Sequence, residues 1–489
     1  MILTKEFTPH TFSLPLEKGT VPLRRWTGCL EGGGMSPKKR GHVPGISNMA
    51  AHIDIRIENL SKLDFDEIGR RLGEMQLGFP EEVRKSVGEI INTVAQRGEE
   101  ALALYTKQYD GVEISADQLR VTQEEIRAAQ EGLHPGLMDA LETSIGRVKE
   151  FHIHSLPGDW DYTDDLGNVL GQKCTPLERV GIYIPGGKAS YPSSLIMTAV
   201  PALAAGVREI AIVSPPSSFL APSALCAALN SIGCTAEVFR VGGVQGVAAL
   251  AMGTERIRRV DKIVGPGNVY VAAAKKELYG YVDIDMVAGP SEVLIITDGS
   301  VDPRITAIDL LAQAEHDEDA RAICVTLSEE HAKRVKKWTL ELADKSSRRE
   351  IIARSIATNG RIYVVDDMHT ALHIANTIAP EHLELQIEDS RSVLPKIKHA
   401  GAIFLGSSSA EAFGDYVAGP SHVLPTGGTS RFFSVLNVLS FVKFSSVLEM
   451  SERGMRELSG PASMLADIEG LSSHGDSVRF RVDRGDEHG

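Results

Sequence analysis

No stretch of this 489-residue chain carries the ~18 successive apolar residues that a membrane helix requires. Its first residues also lack the compact apolar core of a secretory signal. Dense basic stripes are missing from the main body, and 51 Lys and Arg against 65 Asp and Glu leave a formal charge of −14. Nucleic-acid binding is therefore not expected, because phosphate neutralisation needs clustered cations. The cysteines, Cys29, Cys174, Cys226, Cys234 and Cys324, form no C-x-x-C pair and are odd in number. That spacing suits a reducing cytoplasm and buried thiols, not a disulfide framework. No G-x-G-x-x-G follows a strand pattern, so spacing alone gives no nicotinamide cofactor. The phosphate-binding G-x-x-x-x-G-K-[ST] loop, the H-E-x-x-H helix and the G-x-S-x-G elbow are absent too, which removes the usual signals of phosphoryl transfer, zincin proteolysis and esterase chemistry.

What is present is globular: apolar residues make up 43% and charged residues 24%. The length predicts two to four structural units. Residues 1–48 stand apart, with Pro9, Pro15, Pro22, Pro37, Pro44, the run Gly32 to Gly34 and the basic cluster Lys38, Lys39, Arg40. They show no periodic apolar face and predict a mobile tail, with Met49 as an alternative start; few serines and many prolines argue against a transit peptide. From Ile53 to about Arg179 the periodicity is mostly helical, as in Pro80 to Tyr105 and Thr122 to Phe151. Beyond that, short β-branched runs alternate with helical stretches. One series is Val180 to Ile184, Glu209 to Val213, Ala236 to Val241 and Lys262 to Val264; a second is Glu292 to Thr297, Ala322 to Thr326, Arg361 to Val365 and Ala402 to Leu405. Alternating βα units predict two α/β domains, each with a parallel sheet of four strands. The stretch Ser434 to Gly489 reads as helices plus a closing strand, Val478 to Val482, too short for a core of its own.

Several segments could carry chemistry. Gln313 and His316 lie three apart in a helical pattern and share a face, a spacing that can chelate an ion but is more often a solvated face or a core hydrogen bond. In IAPEHLEL, Pro380 ends a helix and predicts an extended Ala379, so that Glu381 and His382 open a loop before a strand beginning at Leu383. A carboxylate beside an imidazole can serve two separate proton transfers. The pair nevertheless precedes a strand, whereas ligands in open α/β sheets gather at carboxyl ends. The segment Phe413 to Gly428 reads as a long loop of glycines and prolines carrying Asp415 and His422. Three further turns, Ile184 to Gly187, Val264 to Asn268 and Ala288 to Glu292, are glycine-rich beside predicted strands; any one needs only positive φ, but together they favour a cleft.

Seven ordered motifs, GIYIPGGKASYPSSLIMTAVPALAAG, VDKIVGPGNVYVAAAKKEL, DMVAGPSEVLIITD, DLLAQAEHDEDA, IAPEHLEL, GDYVAGPSHVLPTGGTSRF and EGLSSH, resemble the histidinol dehydrogenase family from about Ile53 to Arg481. The resemblance implies two incomplete Rossmann-like domains with parallel sheets, plus small N- and C-terminal segments packing across a dimer. Its boundaries would be a 49–71 dimer-packing segment, residues 72–179 plus 291–436 as the first domain, 180–290 as the second, and 437–489 contributing to the partner's site. The implied activity is oxidation of L-histidinol through L-histidinal to L-histidine in histidine biosynthesis, with two NAD consumed and one zinc per subunit. Carried over by residue, the zinc ligands are Gln313, His316, Asp415 and His474, an oxygen and nitrogen set that manganese also accepts. The proton-transfer pair is Glu381 and His382. Substrate contacts are Ser291, Gln313, His316, His382, Asp415, Glu469 and His474, with His422 nearby; Glu469 and His474 would come from the second subunit of a homodimer. NAD contacts are Tyr183, Gln245 and Asn268. A related enzyme for another small polar alcohol, such as a sulfonated diol, is the alternative, and Glu469 favours histidinol because its carboxylate suits an ammonium group. A metal-binding protein without turnover would keep the ligands but have no use for Glu381 and His382.

Overall fold

The computed structural model describes residues 53–73, 78–186, 191–233 and 236–487, with side chains to residue 483. The expected 1–48 tail, Cys29, Cys234 and Gly187 lie outside the described residues. Strand β1 (Arg56–Asn59) opens the described chain, and β2 (Trp160–Thr163) and β3 (Val169–Pro176) form a hairpin. Next come β4 (Arg179–Tyr183), β5 (Glu209–Val213), β6 (Glu237–Phe239), β7 (Lys262–Val264) and β8 (Asp283–Ile284). They make a five-stranded sheet in the order β6-β5-β4-β7-β8, parallel throughout. Then follow β9 (Glu292–Thr297), β10 (Arg321–Thr326), β11 (Arg361–Val364), β12 (His382–Gln386) and β13 (Ala402–Leu405). With β1 they form a six-stranded parallel sheet, ordered β1-β11-β10-β9-β12-β13. Strands β4, β9 and β12 are buried along their whole length, the pattern of parallel sheets covered by helices on both faces.

The two predicted α/β units with parallel sheets are therefore present, with one or two more strands each than the four expected. The additions are short strands, β8 and β1, and β12 begins at His382, not Leu383. The helices of 81–153 pack differently from the expected boundaries. Val83, Val87, Ile90 and Leu102 share an apolar cluster with Val247, Leu250 and Ile263 of the five-stranded unit, and Leu141 and Val148 share another with Ile182 and Ile196. Residues 81–153 thus cover the sheet of 180–290, whereas the six-stranded sheet is closed by its own helices.

Two further expectations are corrected. Val478 to Val482 is not a strand: it lies inside the helix Ser472–Glu487. Phe413 to Tyr416 is not loop: the short helix Glu411–Tyr416 contains it. A third sheet was not foreseen, in which β14 (Val442–Glu449) pairs antiparallel with β3, giving the order β14-β3-β2. This sheet and the helices Glu452–Ile468 and Ser472–Glu487 form an arm. Its fixed points on the body include the Leu177 N–H donating to the Phe441 carbonyl at 2.9 Å and Lys262 Nζ donating to the Ser440 carbonyl at 2.6 Å. Among the described residues, no helix is long and apolar enough to cross a membrane.

The close approach of backbone to backbone at the carboxyl edge of the five-stranded sheet requires a glycine. Gly265 has φ +114°, and a Cβ there would lie 2.2 Å from the Tyr183 carbonyl oxygen. Gly265→Ala is expected to cost at least about 1–3 kcal/mol of stability from backbone strain alone. The denaturant midpoint reads this directly, and an unchanged midpoint would mean that the turn relaxes around the added methyl group.

Candidate functional site

The site begins at the amino edge of the six-stranded sheet. His382 is the first residue of β12 and pairs in register with Val293 of β9. The residue before Pro380 does not take the expected extended form: Ala379 has φ 53° and ψ 60°, left-handed backbone that caps the helix Met368–Ile378 through an N–H to Ala375 O bond of 2.8 Å. Such a setting costs a non-glycine residue about 1–3 kcal/mol and persists only where the surroundings enforce it. Here the Ser430 hydroxyl donates to the Ala379 carbonyl at 2.8 Å. The tight reversal delivers Glu381 and His382 into the sheet edge, both buried.

Glu292, the first residue of β9, fixes both side chains. Its N–H donates to Glu381 Oε2 at 2.8 Å, and its carbonyl lies 3.2 Å from His382 Nδ1. Gln313 Oε1 is 3.1 Å from the same nitrogen. Two acceptors at Nδ1 assign the proton to that nitrogen in the neutral ring, which leaves Nε2 with its lone pair free. Burial lowers the imidazole pKa to about 3, against the Glu292 carbonyl, with a further push from the nearby His316 and His422. His382 is thus a neutral imidazole whose open nitrogen stands 3.9 Å from Asp415 Oδ1. Burial holds Glu381 well above the usual carboxylate range, and the neighbouring acids Glu292 and Asp415 add to the effect. Ionised, it is a strong base for a carboxylate.

Facing this pair is a group of ligand atoms from His316, Glu411 and Asp415, all within 4.8 Å of one another. Gln313 lies near the end of the helix Pro303–Ala314, and His316 sits just beyond it with its N–H on the Gln313 carbonyl at 3.2 Å. Glu411 and Asp415 are four apart on the helix Glu411–Tyr416 and so share a face. Glu411 Oε1 is 3.7 Å from His382 Nδ1, and its Oε2 is buried with no partner. Burial raises Asp415 to about 6, against the pull of His316, and holds Glu411 well above the usual carboxylate range with help from Asp415, Glu381 and Glu384. His422 Nδ1 is 3.0 Å from the Asp415 carbonyl, and burial lowers its pKa to about 4. Several buried acids crowded together are unfavourable without a counter-charge. The donor set of imidazole nitrogen and carboxylate oxygen suits a divalent cation such as zinc. The buried Gln313 Nε2 also lacks a partner, while its Oε1 faces His382 Nδ1.

The second half of the site lies at the carboxyl edge of the five-stranded sheet. Residues 285–291, including Ser291, run from the end of β8 to the start of β9 and so join this edge to the first half. Tyr183 ends β4 and its buried hydroxyl accepts from the Gly243 N–H at 3.2 Å; burial pushes the phenol up to about 12. Gln245, in the first turn of the helix Gly243–Met252, is 1% exposed with neither amide atom partnered. Asn268 Oδ1 caps the helix Val269–Leu278, accepting from Tyr270 and Val271 N–H groups at 3.1 Å. Gly265 in the intervening turn is braced on both sides: its N–H donates to Asp285 Oδ2 at 2.8 Å, and its carbonyl accepts from Lys275 Nζ at 3.0 Å while Lys275 pairs with Asp285. Strand carboxyl ends and helix amino ends make a standard setting for a dinucleotide phosphate.

The structure therefore brings together Glu381, His382, Gln313, His316, Asp415 and His422, and places Tyr183, Gln245 and Asn268 around a separate sheet edge. It does not bring in Glu469 and His474, which lie exposed where the helix Glu452–Ile468 turns into Ser472–Glu487 and are not part of the ligand cluster. Glu292 and Glu411 were missed by sequence reasoning. The Glu411 signal was available in its spacing of four from Asp415, but the segment reads as loop, where that spacing has no meaning.

The family profile described as histidinol dehydrogenase matches residues 76–482. A histidinol dehydrogenase of Syntrophotalea carbinolica is 50% identical over 404 residues, covering 82% of this chain and 93% of that protein. One from Aquifex aeolicus is 46% identical over 434 residues, covering 87% of this chain and 99% of the relative. The crystal structure of histidinol dehydrogenase from Elizabethkingia anophelis superposes with a TM-score of 0.83 at 31% identity, over 89% of this chain and 99% of that one. With its two parallel sheets, its buried Glu381 and His382 and this extent of match, the chain belongs to the histidinol dehydrogenase family of oxidoreductases.

Proposed function

We propose that this protein oxidises L-histidinol through L-histidinal to L-histidine, using two NAD and one zinc per subunit in the cytoplasm. The observation that carries the reading is His382: a buried neutral imidazole, its Nδ1 fixed by Glu292 and its Nε2 open toward Asp415. Gln313, His316 and Asp415 would hold the zinc, with His474 of a second copy completing the set, and the convergence of the His316 and Asp415 ligand atoms within 4.8 Å supports that assignment. When bound there, zinc would anchor the imidazole and amine of the substrate. Tyr183, Gln245 and Asn268 would hold NAD, which takes a hydride in each half-reaction. In the first half-reaction His382 Nε2 accepts the alcohol proton as the carbinol carbon gives up hydride. In the second, Glu381 takes a proton from the water that adds to the aldehyde, and the resulting diol gives up the second hydride to leave the acid. Ser291 would contact the substrate as well, with His422 nearby, its Nδ1 3.0 Å from the Asp415 carbonyl.

The arm supports a homodimer. Leu448, Met464, Leu465 and Ile468 are between 62% and 74% exposed on it, an apolar surface that a second copy of the chain would cover. Glu469 and His474 are carried on this surface, and the dimer would bring them to the neighbouring site.

Purified protein given L-histidinol, NAD and zinc is expected to form two NADH per histidine; zinc binding with no NADH would refute the reading. His316→Ala is expected to lose bound metal and most activity together, and elemental analysis decides it: a full metal complement in the variant would remove His316 from the ligand set. Glu381→Gln should slow oxidation of supplied histidinal much more than the first step from histidinol, and His382→Asn the reverse, each by about a hundredfold to ten-thousandfold in single-turnover measurements. Equal slowing of both half-reactions by both variants would make the pair a single unit.

A further inference from the structure

Behind the site, a strand and a helix face each other through polar side chains where a buried interface is ordinarily apolar. Along β12, His382, Glu384 and Gln386 alternate onto one face. Along the helix Pro303–Ala314, Thr306, Asp309 and Gln313 stand at spacings of three and four and so share one face. All six are buried, and the two rows meet rung by rung. Gln313 Oε1 meets His382 Nδ1 at 3.1 Å. The two hydrogens of Gln386 Nε2 go to Asp309 Oδ2 at 2.7 Å and to Glu384 Oε2 at 2.8 Å. The Thr306 hydroxyl donates to Gln386 Oε1 at 2.6 Å. Glu384 and Asp309 also hydrogen-bond each other; burial and the Asp309 charge raise Glu384 to about 8, so its carboxyl is the donor. The remaining oxygen, Glu384 Oε1, accepts from the Glu411 N–H at 3.0 Å. That bond fixes the first residue of the helix Glu411–Tyr416, which carries Asp415.

We infer that Thr306, Asp309, Glu384 and Gln386 are positioning residues for the metal and proton-transfer site. They hold β12, the Pro303–Ala314 helix and the Glu411–Tyr416 helix in one relative setting, so that Gln313, His382 and Asp415 converge. The three groups come from three separate elements, and this network touches all three. A bare apolar interface would stabilise the same layers as well or better, but it would not fix their register to the fraction of an ångström that metal ligands need. Outer hydrogen bonds of this kind set ligand orientation, and losing one costs metal affinity although no ligand is removed. The inference rests on the reading that the site holds zinc.

The test uses the full chain, stripped of metal and titrated with zinc against a chromophoric chelator, with NAD affinity measured in parallel as a control on the other sheet. Glu384→Leu is expected to weaken zinc binding about tenfold to hundredfold, with NAD affinity unchanged. Glu384→Gln keeps an acceptor for the Glu411 N–H and offers an N–H to Asp309 but gives up the acceptor for Gln386 Nε2, and should recover part of the loss. Thr306→Val removes only a distant hydroxyl and should weaken zinc in the same direction, by less. A folded Glu384→Leu protein that binds zinc as tightly as the wild type overturns the inference. If that variant does not fold, Thr306→Val decides: a lower melting temperature with unaltered zinc affinity assigns the network to stability alone and overturns it. Failure of the wild type to take zinc would sink the functional reading first, and the inference with it, before any variant is compared.

Discussion

The settings of Glu381 and His382 both depend on Glu292. Its N–H holds Glu381, its carbonyl orients His382, Oε1 accepts from the Gly427 N–H at 2.9 Å and Oε2 pairs with Arg321 at 3.2 Å. One residue thereby spends its backbone donor, its backbone acceptor and both carboxylate oxygens on three different segments. Burial raises its pKa, partly offset by Arg321 and the backbone donors. Because β9 lies between β10 and β12 in the sheet, Glu292 cannot shift without moving the strands on either side. The orientation of the imidazole is thus tied to the register of the sheet itself.

The candidate groups divide between two kinds of sheet edge. Tyr183, Gln245 and Asn268 stand at the carboxyl edge of the five-stranded sheet, where the general expectation for parallel sheets puts ligands. Glu381 and His382 stand at the opposite kind of edge, where strands begin and the preceding helices end. Residues 285–291 run from the last strand of one sheet into the first of the other, so a carboxyl edge and an amino edge share one short connection. Helix amino ends carry a partial positive charge that suits dinucleotide phosphates, and Glu381 and His382 sit away from those ends.

Strands announced by a short local apolar run were legible: Glu209–Val213, Glu292–Thr297 and Ala402–Leu405 fall where those runs placed them. What failed depended on distant partners. β14 exists because Val442 to Glu449 finds Pro176 to Val169, and no local pattern announces that pairing. Val478 to Val482 has a strand-like composition yet continues a helix, since intrinsic β preference is weaker than the continuity of an existing helix. In the site, Gln313, His316, Glu381 and His382 were visible as spacings or neighbours, and resemblance joined Asp415 to them. Glu292 stayed hidden because its role is mostly played by backbone atoms, which any residue has. Glu384 and Gln386 stayed hidden because a period of two marks one face of a strand without saying what covers it.

The arm has a consequence for how the molecule is made. Strand β3 is the middle of its sheet, with β2 joined to it by a short hairpin on one side and β14 on the other. During synthesis the hairpin and the five-stranded sheet emerge long before residues 442–449, and the last strand of the six-stranded sheet also precedes them. Until then β3 presents an unpaired edge, the kind of surface to which another strand can add. The same late segment precedes the helices bearing Glu469 and His474. A chain cut short by premature termination before β14 would therefore keep the carboxyl edge of the five-stranded sheet and the buried histidine, but carry an open, adhesive strand where the finished protein has a closed one.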